Sequence, residues 1–292
     1  MRNSSRRTGI GYPGALRALL AGLVAAGGLA ACSPSPAAAP RATSAAAAQI
    51  KADTVKVAAG WFVMGDDQGQ PDARPAHRVY LDAFSIDRFE VSNAEYSACV
   101  AGGACPAPDR TSSETRQAYY GTATYASYPV IGVTYADSVA FCAWRNARLP
   151  TEAQWEKAAR GTDQRTYPWG RTFDPSRLNY CDHNCGLPWA DTAHDDGYAD
   201  TSPVDSFPSG ASPYGALNMA GNVWEWVADW YDAGYYAHTP ANNPPGPATG
   251  TQRVTRGGGI FDDKVFNAST MRRRFSPDVS STSVGFRCAT TP

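Results

Sequence analysis

The stretch Leu217-Asn-Met-Ala-Gly-Asn-Val-Trp-Glu-Trp226 gathers two amides, a glycine, a carboxylate and two indoles. A carboxylate between tryptophans is costly to desolvate unless a cation or hydrogen-bond donors meet it, so Glu225 requires a partner. A hard cation is one solution. The Asn218 and Glu225 side chains, with the Gly221 and Val223 carbonyls, form the kind of oxygen set calcium takes. A turn in which Glu225 caps backbone amides and the tryptophans fill core is the other, and spacing alone leaves both open.

Other residues with chemical potential are more scattered. Asp191, Asp195, Asp196 and Asp200 surround Gly197, either as a cation loop or as solvated acids. Asp262 and Asp263 are adjacent carboxylates, which in an irregular loop are usually solvated. Arg272, Arg273 and Arg274 would line an anion pocket in a loop, whereas on a strand they alternate faces. His77 precedes a strand and reads as structural, and His183, His194 and His238 as solvated loop residues. No His-x-x-x-His or His-x-Asp arrangement is present, so iron is not supported. There is no Gly-x-Ser-x-Gly, phosphate loop or dinucleotide fingerprint, and Gly257–Gly259 reads as close backbone approach.

These residues must be positioned by a chain that is 43% hydrophobic and 18% charged, with 27 Gly and 22 Pro. That composition predicts one large, loop-rich domain of modest helix and strand content. The net charge of -1 and pI near 6.4 provide no field for nucleic acid or an acidic membrane surface. Residues 1–32 read as an export signal. Arginines precede an apolar run too short to span a bilayer, and Leu29-Ala-Ala-Cys32 resembles a bacterial lipoprotein cleavage box with Cys32 as the lipidated residue. The expected location is therefore the cell envelope, with the lipid at Cys32 as membrane anchor. Ser33 is compatible with outer-membrane sorting. Residues 33–54, rich in Ala, Pro and Ser, form an expected tether, and 55–292 the folded domain.

Within that domain, Val55–Val63, His77–Tyr80 and Phe84–Phe89 read as strands. Capping boxes at Ser92-Asn-Ala-Glu95 and Thr151-Glu-Ala-Gln154 predict helices to about Ala101 and Arg160. Thr134–Asn146 reads as a third helix with Val139, Ala140, Ala143 and Trp144 on its apolar face. Residues 161–213 lack sustained periodicity, and Arg253–Cys288 reads as strand, irregular excursion and closing strand. With Cys32 lipidated, proximity suggests Cys99–Cys105 and Cys181–Cys185 as disulfides, which leaves Cys142 for Cys288.

Several stretches together resemble the formylglycine-generating enzymes, the sulfatase-modifying-factor superfamily. They are Gly60-Trp-Phe-Val-Met-Gly65, Phe89-Glu-Val-Ser-Asn93, Arg148-Leu-Pro-Thr-Glu-Ala-Gln-Trp-Glu156, Tyr167-Pro-Trp-Gly170, Gly221-Asn-Val-Trp-Glu-Trp226, Arg256-Gly-Gly258 and Gly285-Phe-Arg-Cys288. The resemblance implies a loop-rich, C-type-lectin-like α+β fold and a long-range disulfide at Cys142 and Cys288. It also implies two calcium sites. One uses the Asn179 and Asp196 side chains with the Tyr180 and Tyr198 carbonyls; the other uses Asn218, Gly221, Val223 and Glu225. The family's oxidases hold copper(I) through two cysteines after Arg-Gly-Gly, and those positions here are Asp262 and Asn267, which cannot replace soft thiolates. Trp224, which matches an active-site-wall tryptophan, is retained. The resemblance therefore implies a calcium-stabilised binding or scaffolding module for a protein or small-molecule ligand, without copper. The alternative is another oxidoreductase of the superfamily acting through Trp224, Asp262, Asp263 and Asn267.

Overall fold

The computed structural model describes residues 52–291. The signal segment, Cys32 and the tether up to residue 51 lie outside the described residues. Among those described, no helix is long and apolar enough to cross a membrane.

Among the described residues, three α-helices and nine strands are joined by long irregular segments. Strands β1 (Thr54–Val57), β4 (Phe84–Asp87) and β9 (Ala289–Thr290) form a small antiparallel sheet, and β2 (Gly60–Met64) pairs with β3 (His77–Leu81) as a hairpin. The stretch 55–63, expected as one strand, is thus divided between β1 and β2, where Gly60 takes a φ of 142°. Helices α1 (Asn93–Ala101) and α3 (Glu152–Arg160) begin at complete capping boxes on Ser92 and Thr151, in which each cap side chain and the residue three positions on exchange hydrogen bonds.

Helix α2 (Tyr135–Trp144) is also boxed, by Thr134 and Asp137, but its buried side is Ser138, Phe141 and Cys142. Val139, expected to face the core, is exposed. Cys142 sets the orientation because it is bonded to Cys288. The local pairs Cys99–Cys105 and Cys181–Cys185 form as well.

The element that most changes the sequence reading is β5 (Trp224–Trp230). It lies inside a four-stranded sheet of order β7-β6-β5-β8, where β7 is Arg272–Phe275, β6 is Arg253–Arg256 and β8 is Val284–Phe286. It runs antiparallel to β6 and parallel to β8. The presumed tight loop through Glu225 therefore ends at Val223, and Glu225 belongs to a strand covered on both faces. On one face Trp224 and Trp226 pack with Tyr96, Phe141 and Phe286 beneath α1 and α2. On the other, Val227 joins Trp155, Ala158 and Ala159 of α3 against β2, β3 and β4.

Candidate functional site

The site grows from the turn that feeds β5. Asn218 and Asn222 have φ of 52° and 61°, and Gly221 has φ of 81°. Left-handed backbone at three of five residues is tolerated by Asn and Gly and folds the chain tightly. A Cβ at Gly221 would fall inside contact distance of the Asn179 carbonyl oxygen, so this turn is pressed directly onto the Asn179 segment.

Glu225 finds its partner here, and it is a guanidinium. Arg287 donates to its two oxygens at 2.7 and 2.6 Å, and the Trp155 indole donates to Oε2 at 2.8 Å. The remaining Arg287 donors reach the carbonyls of Leu217, Asp87 and Arg88. Both charged side chains are fully buried. The partner of Glu225 in this structure is thus a side chain: its oxygens accept three hydrogen bonds, two of them from a positively charged group. A similar enclosed network lies behind it, where Arg272 grips Glu152 at 2.7 and 2.9 Å and Arg256 bridges Glu152 and Glu156.

One buried acid without such a partner is Glu90, only 1% exposed. Its oxygens accept from the Asn218 and Asn222 side-chain amides, each at 2.9 Å. Burial pushes its pKa up to about 8; the charge of Arg287 opposes this and that of Glu225 adds to it. The Asn218 Oδ1 beside it is buried with no hydrogen-bond partner. Sequence reasoning missed Glu90 as a ligand although its signal resembled that of Glu225: an acid flanked by Phe89 and Val91. Arg287 was overlooked for the same reason, as a charge between Phe286 and Cys288.

A second unsatisfied set lies across Asn222, whose Oδ1 accepts from the Asn179 amide at 3.3 Å and from Ser202 N–H at 2.9 Å. The Asn179 Oδ1 is also buried and unpaired. Asp196 accepts from the backbone amides of Tyr180 and Tyr198 at 3.0 and 2.8 Å, but no cationic side chain pairs with it among the described residues. Burial pushes it up to about 7. The other acids of that loop are individually engaged: Asp191 by Tyr180 and His194, Asp195 by Asn184, and Asp200 by Ser113 and Thr115.

An orphaned amide oxygen beside an uncompensated carboxylate is what a hard cation would complete. The Asn179 and Asp196 set fits calcium on that test. Around Asn218 the carboxylate that meets only neutral amides is Glu90, with Gly221 and Val223 on the same turn. Among the described residues no group of three or more His, Cys, Asp or Glu converges as a metal cluster.

Trp224 opens the third part of the site. Its indole donates to Asp262 Oδ2 at 2.6 Å, and the Arg273 guanidinium stands over the indole with Nη1 3.6 Å from Asp262 Oδ1. Burial raises the Asp262 pKa, against the Trp224 hydrogen bond and the Arg273 charge. Asn267 is fully buried and its amide donates to the carbonyls of Asp262 and Asp263 at 3.2 and 2.8 Å. It thus clamps the loop after β6. Asp263 caps the amides of Val265 and Phe266. Trp189, Phe261, Asp262, Asp263, Phe266 and Arg273 line a cavity of about 410 Å³.

Copper(I) does not fit this loop. Asp262 and Asn267 are hard oxygen and amide groups, and the six described cysteines are all committed to disulfides. Of the arginine run, Arg272 is buried on Glu152, while Arg273 and Arg274 are exposed and lie over different rings, Trp224 and Tyr231. They do not form one anion pocket. His77 donates from Nδ1 to the Pro75 carbonyl and packs on Tyr236, a structural position.

The family model for the sulfatase-modifying factor enzyme 1-like domain matches residues 40–292. The chain is 37% identical to a formylglycine-generating enzyme of Streptomyces coelicolor, over 89% of this chain and 96% of that one. It is 33% identical to the inactive C-alpha-formylglycine-generating enzyme 2 of Bos taurus, over 80% and 87%. Among solved structures, PvdO from Pseudomonas aeruginosa superposes with a TM-score of 0.67 at 28% identity, over 81% of this chain and 93% of that one.

Proposed function

The chain belongs to the sulfatase-modifying factor family and has its loop-rich, C-type-lectin-like α+β fold, and from that premise we propose that it is an envelope-tethered, calcium-stabilised binding or scaffolding module without formylglycine-generating activity. The observation that carries this reading is the loop after β6. Where the oxidases of the family place two copper-binding thiolates, this chain has a carboxylate held by Trp224 and an amide that clamps the loop backbone. Oxidising a client cysteine with oxygen needs the metal that those thiolates bind, so the cavity is retained and its redox centre is lost.

When bound, calcium would supply positive charge to the carboxylates of half-buried Asp196 and buried Glu90, joined by the orphaned oxygens of Asn179 and Asn218. The ion would act as a structural clasp linking the Asn179 segment, the turn before β5 and the start of α1. Its role here is cohesion, and the cavity at Trp224 is the ligand site.

The test is to incubate the purified full chain with copper, oxygen and a Cys-x-Pro-x-Arg peptide. The expected result is unmodified peptide by mass spectrometry, together with calcium and no stoichiometric copper or iron in metal analysis. Conversion of the cysteine to an aldehyde would overturn the reading.

A further inference from the structure

We propose that the cavity beside Trp224 binds a free α-amino acid with an aromatic or large apolar side chain, its ammonium on Asp262 and its carboxylate on Arg273. This rests on the reading of that cavity as a ligand site. The lead observation is an ion pair that is close but not made. Arg273 Nη1 lies 3.6 Å from Asp262 Oδ1, outside hydrogen-bond range. No hydrogen bond joins the Arg273 guanidinium to any described residue. Yet it is held in place, over Trp224 at 5.4 Å and Phe275 at 5.1 Å. A guanidinium fixed by two rings with its donors unspent is preorganised for a carboxylate.

Asp262 is equally prepared. It is 9% exposed, and the Trp224 indole fixes Oδ2 and so orients Oδ1 towards Arg273. A ligand bearing only a carboxylate would meet Arg273 against the repulsion of Asp262 and the neighbouring Asp263. One bearing only an ammonium would meet Asp262 against the repulsion of Arg273. An α-amino acid carries both charges on one carbon, and so addresses two opposite side chains a few ångströms apart. Complementarity to both at once confers selectivity, because each half-ligand leaves one charge unanswered.

The walls supply the remaining specificity. Trp189 is 55% exposed and Phe266 43%, a large apolar surface left open to the cavity. The Trp189 indole is anchored through a 2.9 Å hydrogen bond to the Phe261 carbonyl, so its ring is a fixed wall. The volume of about 410 Å³ suits one such amino acid and lies within the range of small-molecule pockets.

Isothermal titration of the calcium-loaded full chain tests this with L-tryptophan, tryptamine, indole-3-propionate and N-acetyl-tryptophan amide. Tryptophan is expected to bind about tenfold or more tightly than each of the others. Arg273→Gln, at an exposed position, should remove the preference for tryptophan over tryptamine. Asp262→Asn, nearly isosteric and still able to accept from Trp224, should remove the preference over indole-3-propionate. Melting curves matching the wild type verify that both variants fold. Absence of tryptophan binding, equal binding of all four probes, or indifference to both substitutions would overturn the proposal. Equal binding of the N-acetyl amide would instead assign the cavity to a peptide segment, and also overturns it. A silent titration without aldehyde formation in the oxidase assay rejects the amino-acid assignment alone, whereas aldehyde formation rejects the wider reading.

Discussion

Replacing Glu225 with Ala discriminates between the two partners its sequence context allowed. In the structure this removes one half of a fully buried ion pair and leaves two Arg287 donors, which reach Glu225 at 2.7 and 2.6 Å, facing an empty space. It also strands the Trp155 indole N–H. Breaking a buried pair from one side costs about 3–5 kcal/mol because the surviving charge stays desolvated. For a domain of this size each kcal/mol shifts the melting temperature by about 2–4 °C, so the expected loss is roughly 6–20 °C. The assay is thermal unfolding by circular dichroism with calcium and with chelator. The loss should be equal in both, since Arg287 and not a metal ion answers the carboxylate. The double variant Glu225→Leu with Arg287→Met, which removes both charges, should recover a large part of it. A loss below about 1 kcal/mol, or one confined to the calcium sample, would refute the assignment.

Glu90 and Asp196 make a pH prediction. Their folded pKa values, pushed up to about 8 and about 7 by burial, exceed those of exposed carboxylates, so the folded protein holds protons that the unfolded chain releases. Without calcium, stability should therefore fall as pH rises from about 4 to about 8; calcium should flatten that slope, and a flat melting profile in chelator would contradict it. Cys142→Ala with Cys288→Ala opens a closure spanning 146 residues and should cost about 5 kcal/mol in denaturant titration; a cost below about 1 kcal/mol would deny the link its role. Gly221→Ala combines a φ of 81° with the clash against Asn179 and should lower stability by about 1–3 kcal/mol, with weaker calcium binding by titration; retention of both would count against the turn as the hub of the site.

Local chemistry was legible in the sequence wherever it was self-contained. The capping boxes at Ser92 and Thr151 located the starts of α1 and α3, and cysteine proximity located the disulfides. What could not be read was which distant group would answer a buried charge. Glu225 and Arg287 are 62 residues apart, and Asn218 and Glu90 are 128 apart; only the sheet brings them together. One signal was nevertheless present in Trp224-Glu-Trp-Val-Ala-Asp-Trp230. Indoles recur at every second position except Ala228, with Glu225, Val227 and Asp229 between them, a period of two that marks a strand. Density of functional groups drew attention to a loop, while alternation already indicated β5. A strand covered on both faces cannot leave Glu225 to solvent, and β8, which runs parallel to β5 with Gly285 opposite Glu225, delivers Arg287 two residues further along. The cation had to be a side chain because the fold had already placed one there. On the proposed calcium reading, the acid beside Asn218 open to the ion is then Glu90, whose two oxygens meet only neutral amides.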